Sequence, residues 1–183
     1  STLFPYTTLF RSIIDPANDS EAQTAMAGIG QASVRVTPLM MAMVAATVAN
    51  DGEQMTPYLV SRTLDADLNV VSTTKPSVLR TPIDSATATA LSSLMQETVA
   101  SGTGKTAQVP GVAVAGKTGT AETGSDEGGP TTWFIGFAGT DINEPSVAIA
   151  VVIDGGSQTS QSATGGSEAG PVAAAVISAA VNR

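Results

Sequence analysis

The 183-residue sequence contains no cysteine and no histidine. That double absence removes disulfide frameworks, zinc sites built from the usual ligands, and both Ser/His/Asp and Cys/His catalysis. A nucleophile in this chain would need a different kind of base. Basic residues are also scarce: eight lysines and arginines face sixteen carboxylates, a net charge of −8 that repels polyphosphate and argues against a nucleic-acid partner. Aromatic residues make up 4% of the chain and charged residues 13%, while 42% are hydrophobic. This is too apolar for a disordered chain, and the length suits one globular domain with a real core. The longest apolar run, Leu39 to Ala49 with Thr47 inside it, is about half the ~20 residues a membrane-spanning helix needs. No segment is expected to cross a membrane, and no secretory signal is visible.

The first residues stand apart. Thr2 to Ser12, TLFPYTTLFRS, looks like the in-frame translation of a sequencing-adapter oligonucleotide, so residues 1–12 are set aside as non-native and 13–183 are read as one domain whose native form extends further upstream.

Thr37 followed by Pro38 predicts a helix from Pro38 to about Asn50, stopped by Gly52. Its Leu39, Met40, Met41, Met43, Val44 and Val48 surround the axis, as in a helix buried on most sides. Tyr58–Leu64 and Leu68–Ser72, joined by a short Asp65-Ala66-Asp67 link, read as a hairpin. Asp84 or Ser85 caps a second helix with Leu91, Leu94, Met95 and Val99 on one face and Gly102 at its end. Val112–Lys117, Thr131–Gly139 and Ser146–Ile153 predict an antiparallel meander. Gly155–Glu168 reads as flexible, and Pro171 opens a last helix to about Asn182. The expected fold class is α/β of the α+β type, an antiparallel sheet flanked by helices.

Two readings compete for the segment Gly111–Thr118. Its letters fit the phosphate-loop pattern, with Ala148–Asp154 as a magnesium-holding strand, and together they would suggest a nucleotide-binding protein. A phosphate loop must lead straight into a helix N-terminus. Here Val112-Ala113-Val114-Ala115 is strand sequence, and the Gly/Pro-rich Thr118–Pro130 stretch could not propagate a helix. Read the other way, Lys117-Thr118-Gly119-Thr120 closes a strand, and there it resembles the Lys-Thr-Gly element of penicillin-binding proteins and class A β-lactamases, which implies a job for each residue. Lys117 can then set an ammonium beside a peptide carboxylate, and Thr118 and Thr120 can hydrogen-bond the same carboxylate. Gly119 leaves room for a substrate backbone, and the Thr120 amide can face a developing oxyanion. Lys117 and Thr120 are thus the candidate catalytic residues, and Lys117, Thr118, Gly119 and Thr120 the candidate substrate-binding set. No metal and no cofactor is expected.

That Lys-Thr-Gly element does not stand alone. Gly28-Ile29-Gly30-Gln31, Val36-Thr37-Pro38-Leu39, Ala49-Asn50-Asp51-Gly52, Ser101-Gly102-Thr103-Gly104, Ala115–Glu122 and Thr132–Phe137 occur in the order seen in class B penicillin-binding proteins. Nearly everything after Ser12 resembles the C-terminal part of their transpeptidase domain, closest to the actinobacterial type. The resemblance implies a five-stranded antiparallel sheet with helices on both sides, of which this chain is expected to hold only part, stem peptides of peptidoglycan and β-lactams as ligands, and serine acyl transfer as the reaction. It also implies a membrane anchor with the catalytic domain outside, and a membrane glycosyltransferase as a partner of the intact protein.

The family's Ser-x-x-Lys and Ser-x-Asn elements normally precede the Gly-Ile-Gly-Gln stretch, and nothing between Ile13 and Gly28 matches either. Ser72-Thr73-Thr74-Lys75 fits the first by letters, but it ends a strand and Pro76 disfavours helix at Lys75. The chain alone is therefore expected to be inactive; a non-catalytic wall-binding module is the remaining alternative. Trp133 reads equally as bordering the cleft or as packing between sheet and helix and is left out of the site set, Asp126-Glu127 reads as a solvated loop pair, and Gly165-Gly166 equally as a cleft rim or as a flexible stretch.

Overall fold

A computed structural model of the chain describes residues 20–31, 34–122, 128–156 and 160–182. The segment 1–12 and the pair Asp126-Glu127 lie outside the described residues. Three strands form the central sheet: β5 (Ala113–Ala121), β6 (Thr131–Gly139) and β7 (Val147–Ile153), antiparallel in the order β5-β6-β7. Side chains alternate across its two faces. Phe134 and Ala138 point to one face, where they meet Val114, Ile149 and the helix α4 (Gly170–Val181) through Ala173 and Ile177. Phe137 and Ala115 point to the other, against Val48 of α2 (Pro38–Ala49). The helix α3 (Ser85–Ala100) packs along β5 and serves both clusters, Val99 in the first and Met95 in the second.

Helix ends follow the sequence closely because local chemistry sets them. Thr37 Oγ1 accepts from Met40 N at 3.2 Å with Pro38 in the first turn, and Asp84 accepts from Thr87 N at 2.7 Å. After α2 the backbone turns through Gly52 at φ +90°, where any Cβ would fall 2.2 Å from the Ile83 carbonyl oxygen. Ser20 and Gln23 form a reciprocal cap on a short helix, α1 (Glu21–Ala27), which was not expected from the sequence.

Burial departs from the expectation in both long helices. Met40, Met43, Ala45, Thr47 and Val48 of α2 are buried, yet Leu39 and Val44 are exposed. In α3 the buried stripe is Ala88, Met95 and Val99, which the helical repeat puts on one face, and Leu94 is turned off that face and exposed. The expected hairpin is shorter than its apolar run: β2 (Arg62–Leu64) pairs with β3 (Val70–Thr73), and Tyr58–Ser61 stay outside it. Its turn is held by Asp65, which accepts from the amides of Asp67 at 2.9 Å and Asn69 at 2.8 Å. A second ribbon, β1 (Gln54–Met55) with β4 (Val78–Arg80), was not foreseen, since two residues carry no periodicity. It is tied to α2 by buried Gln54, which donates to Thr47 Oγ1 at 3.2 Å and accepts from Arg80 Nε at 2.8 Å.

Two corrections matter for the site. The first strand runs on through Lys117-Thr118-Gly119-Thr120 to Ala121 rather than stopping at Lys117, because β6 supplies a partner for every residue, from Ala113 opposite Gly139 to Ala121 opposite Thr131. The segment expected to be flexible before the last helix contains a π-helical turn, Gly165–Ala169, capped by Thr164 and continuous with α4.

Candidate active site

The Lys-Thr-Gly-Thr stretch lies on the last part of β5, one of the two edge strands of the three-stranded sheet. Lys117 and Gly119 project toward the α2 face; Thr118 and Thr120 project toward the α4 face. Lys117 is exposed and Thr118 is buried, at 9% exposure. On the outer edge, the Thr120 carbonyl accepts from Gln31 Nε2 at 3.1 Å and the Thr118 carbonyl accepts from Lys117 Nζ at 2.6 Å. In an antiparallel ladder a residue's N–H leaves on the same side as its C=O. The amides of Thr118 and Thr120 therefore face outward, away from β6.

A groove of about 660 Å³ runs beside this edge, walled by Gln31, Met41, Lys117, Gly119, Thr120 and Trp133. It brings together all four residues singled out from the sequence. Its charges are mixed, Arg35 and Lys117 against Glu122 and Asp154. A second cavity, about 560 Å³ between α3 and the start of β5, has no charged side chain in its walls. Of the two, the first offers a cation and outward amides along one stretch of backbone.

The threonine hydroxyls are engaged differently from the expectation. Thr118 Oγ1 lies 2.6 Å from Thr103 Oγ1, and Thr120 Oγ1 accepts from Gly165 N at 3.3 Å. Gly165 is wedged where a Cβ would sit 2.4 Å from the Trp133 carbonyl oxygen and 2.6 Å from that of Gly119. The π turn is thus a fitted backing for the strand, not a floppy rim.

Two contributors, Gln31 and Thr103, were not singled out from the sequence, and two more, Trp133 and Gly165, carried a cleft reading there only as one of two equal alternatives. Trp133 sits opposite Gly119 on β6 and walls the groove, the cleft-bordering one of its two readings, and so joins the site set. Gln31 and Thr103 fall within the family-like stretches and Gly165 before the last helix, but nothing in a linear pattern shows which atoms they reach. Two decoys are settled by geometry. Gly111–Thr118 enters the extended β5 and leads into no helix, so it cannot cradle phosphate. Ser72 lies on β3 and is exposed, with its hydroxyl 2.7 Å from that of Thr63, at no helix start.

An antiparallel sheet between helices, with Lys-Thr-Gly on an edge strand beside a groove, is the arrangement of the penicillin-binding fold. The chain belongs to the penicillin-binding protein transpeptidase domain family, whose model matches residues 10–178. It is 44% identical over 165 residues to the peptidoglycan D,D-transpeptidase PbpA of Mycolicibacterium smegmatis, covering 87% of this chain and 32% of that protein. Identity to the Mycobacterium tuberculosis PbpA is 42% over 174 residues, covering 93% of this chain and 34% of the relative. Among solved structures, the ceftriaxone acyl-enzyme of M. tuberculosis penicillin-binding protein A superposes with a TM-score of 0.80 at 42% identity, over 92% of this chain and 37% of that one. The penicillin G acyl-enzyme of the same protein gives 0.77. The chain thus spans about a third of the length of these relatives.

Proposed function

We propose that this chain supplies the Lys-Thr-Gly half of a peptidoglycan cross-linking site, and that residues 13–183 are the C-terminal part of the transpeptidase domain. The observation that carries this reading is the edge position of Lys117–Thr120 beside an open groove. Lys117 attracts the terminal carboxylate of a stem peptide, and Gly119 lets the peptide backbone lie against the strand. The outward Thr120 amide stabilises an oxyanion. In the intact protein a serine attacks the penultimate D-alanine carbonyl, terminal D-alanine leaves, and the acyl group passes to an amine of a neighbouring strand. β-Lactams enter the same groove as mimics of that peptide.

The sequence offers no Ser-x-x-Lys other than Ser72–Lys75, so the chain by itself binds without acylating. Among the described residues no helix is long and apolar enough to cross a membrane. Anchoring at the cytoplasmic membrane, with the domain outside and a membrane glycosyltransferase as partner, belongs to the intact protein in this reading.

Two measurements test it. NMR titration with diacetyl-L-Lys-D-Ala-D-Ala should give saturable shifts at Gly119 and Thr120, weakened about tenfold by Lys117→Gln, the cost of one charge-assisted hydrogen bond. Incubation with fluorescent penicillin should leave no band on a denaturing gel. Absence of peptide binding, or a band abolished by Ser72→Ala, would refute the assignment.

A further inference from the structure

We propose that the Gln31 carboxamide is a built-in stand-in for a ligand N–H, capping the edge of β5 until a bound peptide replaces it; this rests on the reading that the groove takes an extended peptide. Both outward carbonyls of the Lys-Thr-Gly-Thr stretch are held by side-chain donors: that of Thr118 accepts from Lys117 Nζ at 2.6 Å, and that of Thr120 from Gln31 Nε2 at 3.1 Å. In an antiparallel pair, two facing residues of the hydrogen-bonded kind exchange both of their bonds. A ligand residue whose carbonyl takes the outward Thr120 amide therefore aims its own N–H at the Thr120 carbonyl. Its nitrogen would stand about 2.9 Å from that oxygen. Gln31 Nε2 fills this space on the same outer edge, and Gln31 walls the groove. Peptide binding is thus an exchange at one oxygen, the side chain leaving as the ligand N–H arrives.

Gln31 is placed so that it can leave. The helix before it, α1, buries none of its residues, and Met26 and Ile29 are exposed. The turn that carries Gln31 is closed by its own backbone, with Gly30 N donating to Ala27 O at 3.0 Å and Gln31 N to Met26 O at 3.1 Å. Its shape does not depend on the strand. Gln31 is itself only half-buried, so its freed carboxamide turns to water. Release gives up one hydrogen bond and little apolar contact. In the empty groove the same bond covers an acceptor on an open sheet edge, which discourages pairing with a stray strand.

The test compares the whole chain with Gln31→Met, which keeps the length of the side chain and removes its donor, in NMR titrations. The probes are diacetyl-L-Lys-D-Ala-D-Ala and the depsipeptide with D-lactate in place of the penultimate D-alanine, where an ester oxygen replaces the N–H. Gln31→Met should tighten the peptide about threefold, the scale of one net hydrogen bond, and leave the depsipeptide unchanged. In the wild-type chain, the Gln31 side-chain amide signals should move to those of a water-exposed carboxamide as the peptide saturates. Equal gains for both ligands, no gain for the peptide, or Gln31 signals that stay in place at saturation overturn the exchange while the groove reading stands. A wild-type chain that binds neither ligand removes the groove reading and this proposal with it.

Discussion

Replacing Gly165 by alanine tests the idea that the π turn backs the active strand. The new methyl group would fall 2.4 Å from the Trp133 carbonyl oxygen, 2.6 Å from the Gly119 carbonyl oxygen and 2.9 Å from the Gly119 nitrogen. All three are backbone atoms of paired strands, so no side chain can swing aside. Overpacking of this kind costs typically about 1–3 kcal/mol. For a chain of this size each kcal/mol lowers the thermal midpoint by about 2–4 °C, which places the expected fall at about 2–12 °C. Glycine-to-alanine replacement also stiffens the unfolded chain, an effect of about 0.4–1 kcal/mol in the opposite direction. Gly156→Ala isolates that contribution, since a Cβ at Gly156 would meet nothing within 4 Å. Trp133, the single tryptophan, reports unfolding by its fluorescence and senses the displaced carbonyl directly. A Gly165→Ala midpoint equal to that of Gly156→Ala, with unchanged Trp133 emission, would show that the turn does not press on the strand.

Other perturbations probe the core and the helix ends. Phe134 is fully buried over Gly116, and Phe134→Ala should cost about 3–5 kcal/mol in urea unfolding; a loss below about 1 kcal/mol would place the ring outside the core. The hydrogen bond from Thr87 holds the Asp84 carboxyl below the usual aspartate range. Its folded pKa is thus lower than its unfolded one, so its contribution is present above the ordinary aspartate range and is lost as pH falls through the depressed value. Asp84→Asn should keep the cap at neutral pH and flatten the acid limb of stability; an identical acid limb in both proteins would count against the cap.

How much of this was legible depends on the range of the interaction. The cap of α2 at Thr37, the cap of α3 at Asp84, and the three strands of the meander were readable because each signal is a hydrogen bond or an alternation spanning a few residues. The Lys-Thr-Gly element, its strand setting and the mismatch with a phosphate loop were readable for the same reason. The β1–β4 ribbon joins residues more than twenty apart and left no local mark. Leu91 and Leu94 looked like core by spacing, yet the face that docks is the one carrying Ala88, Met95 and Val99, a choice set by tertiary packing and not by periodicity alone.

Composition and local order were enough to define the chemistry this chain can bring: no imidazole, no thiol, and a lysine on a strand with a side-chain-free residue two positions on. They could not show that Trp133, Gln31, Thr103 and Gly165 converge on that lysine's strand from four separate segments. Such convergence is fixed by strand pairing and helix packing between distant residues, and those contacts exist only once the sheet has closed.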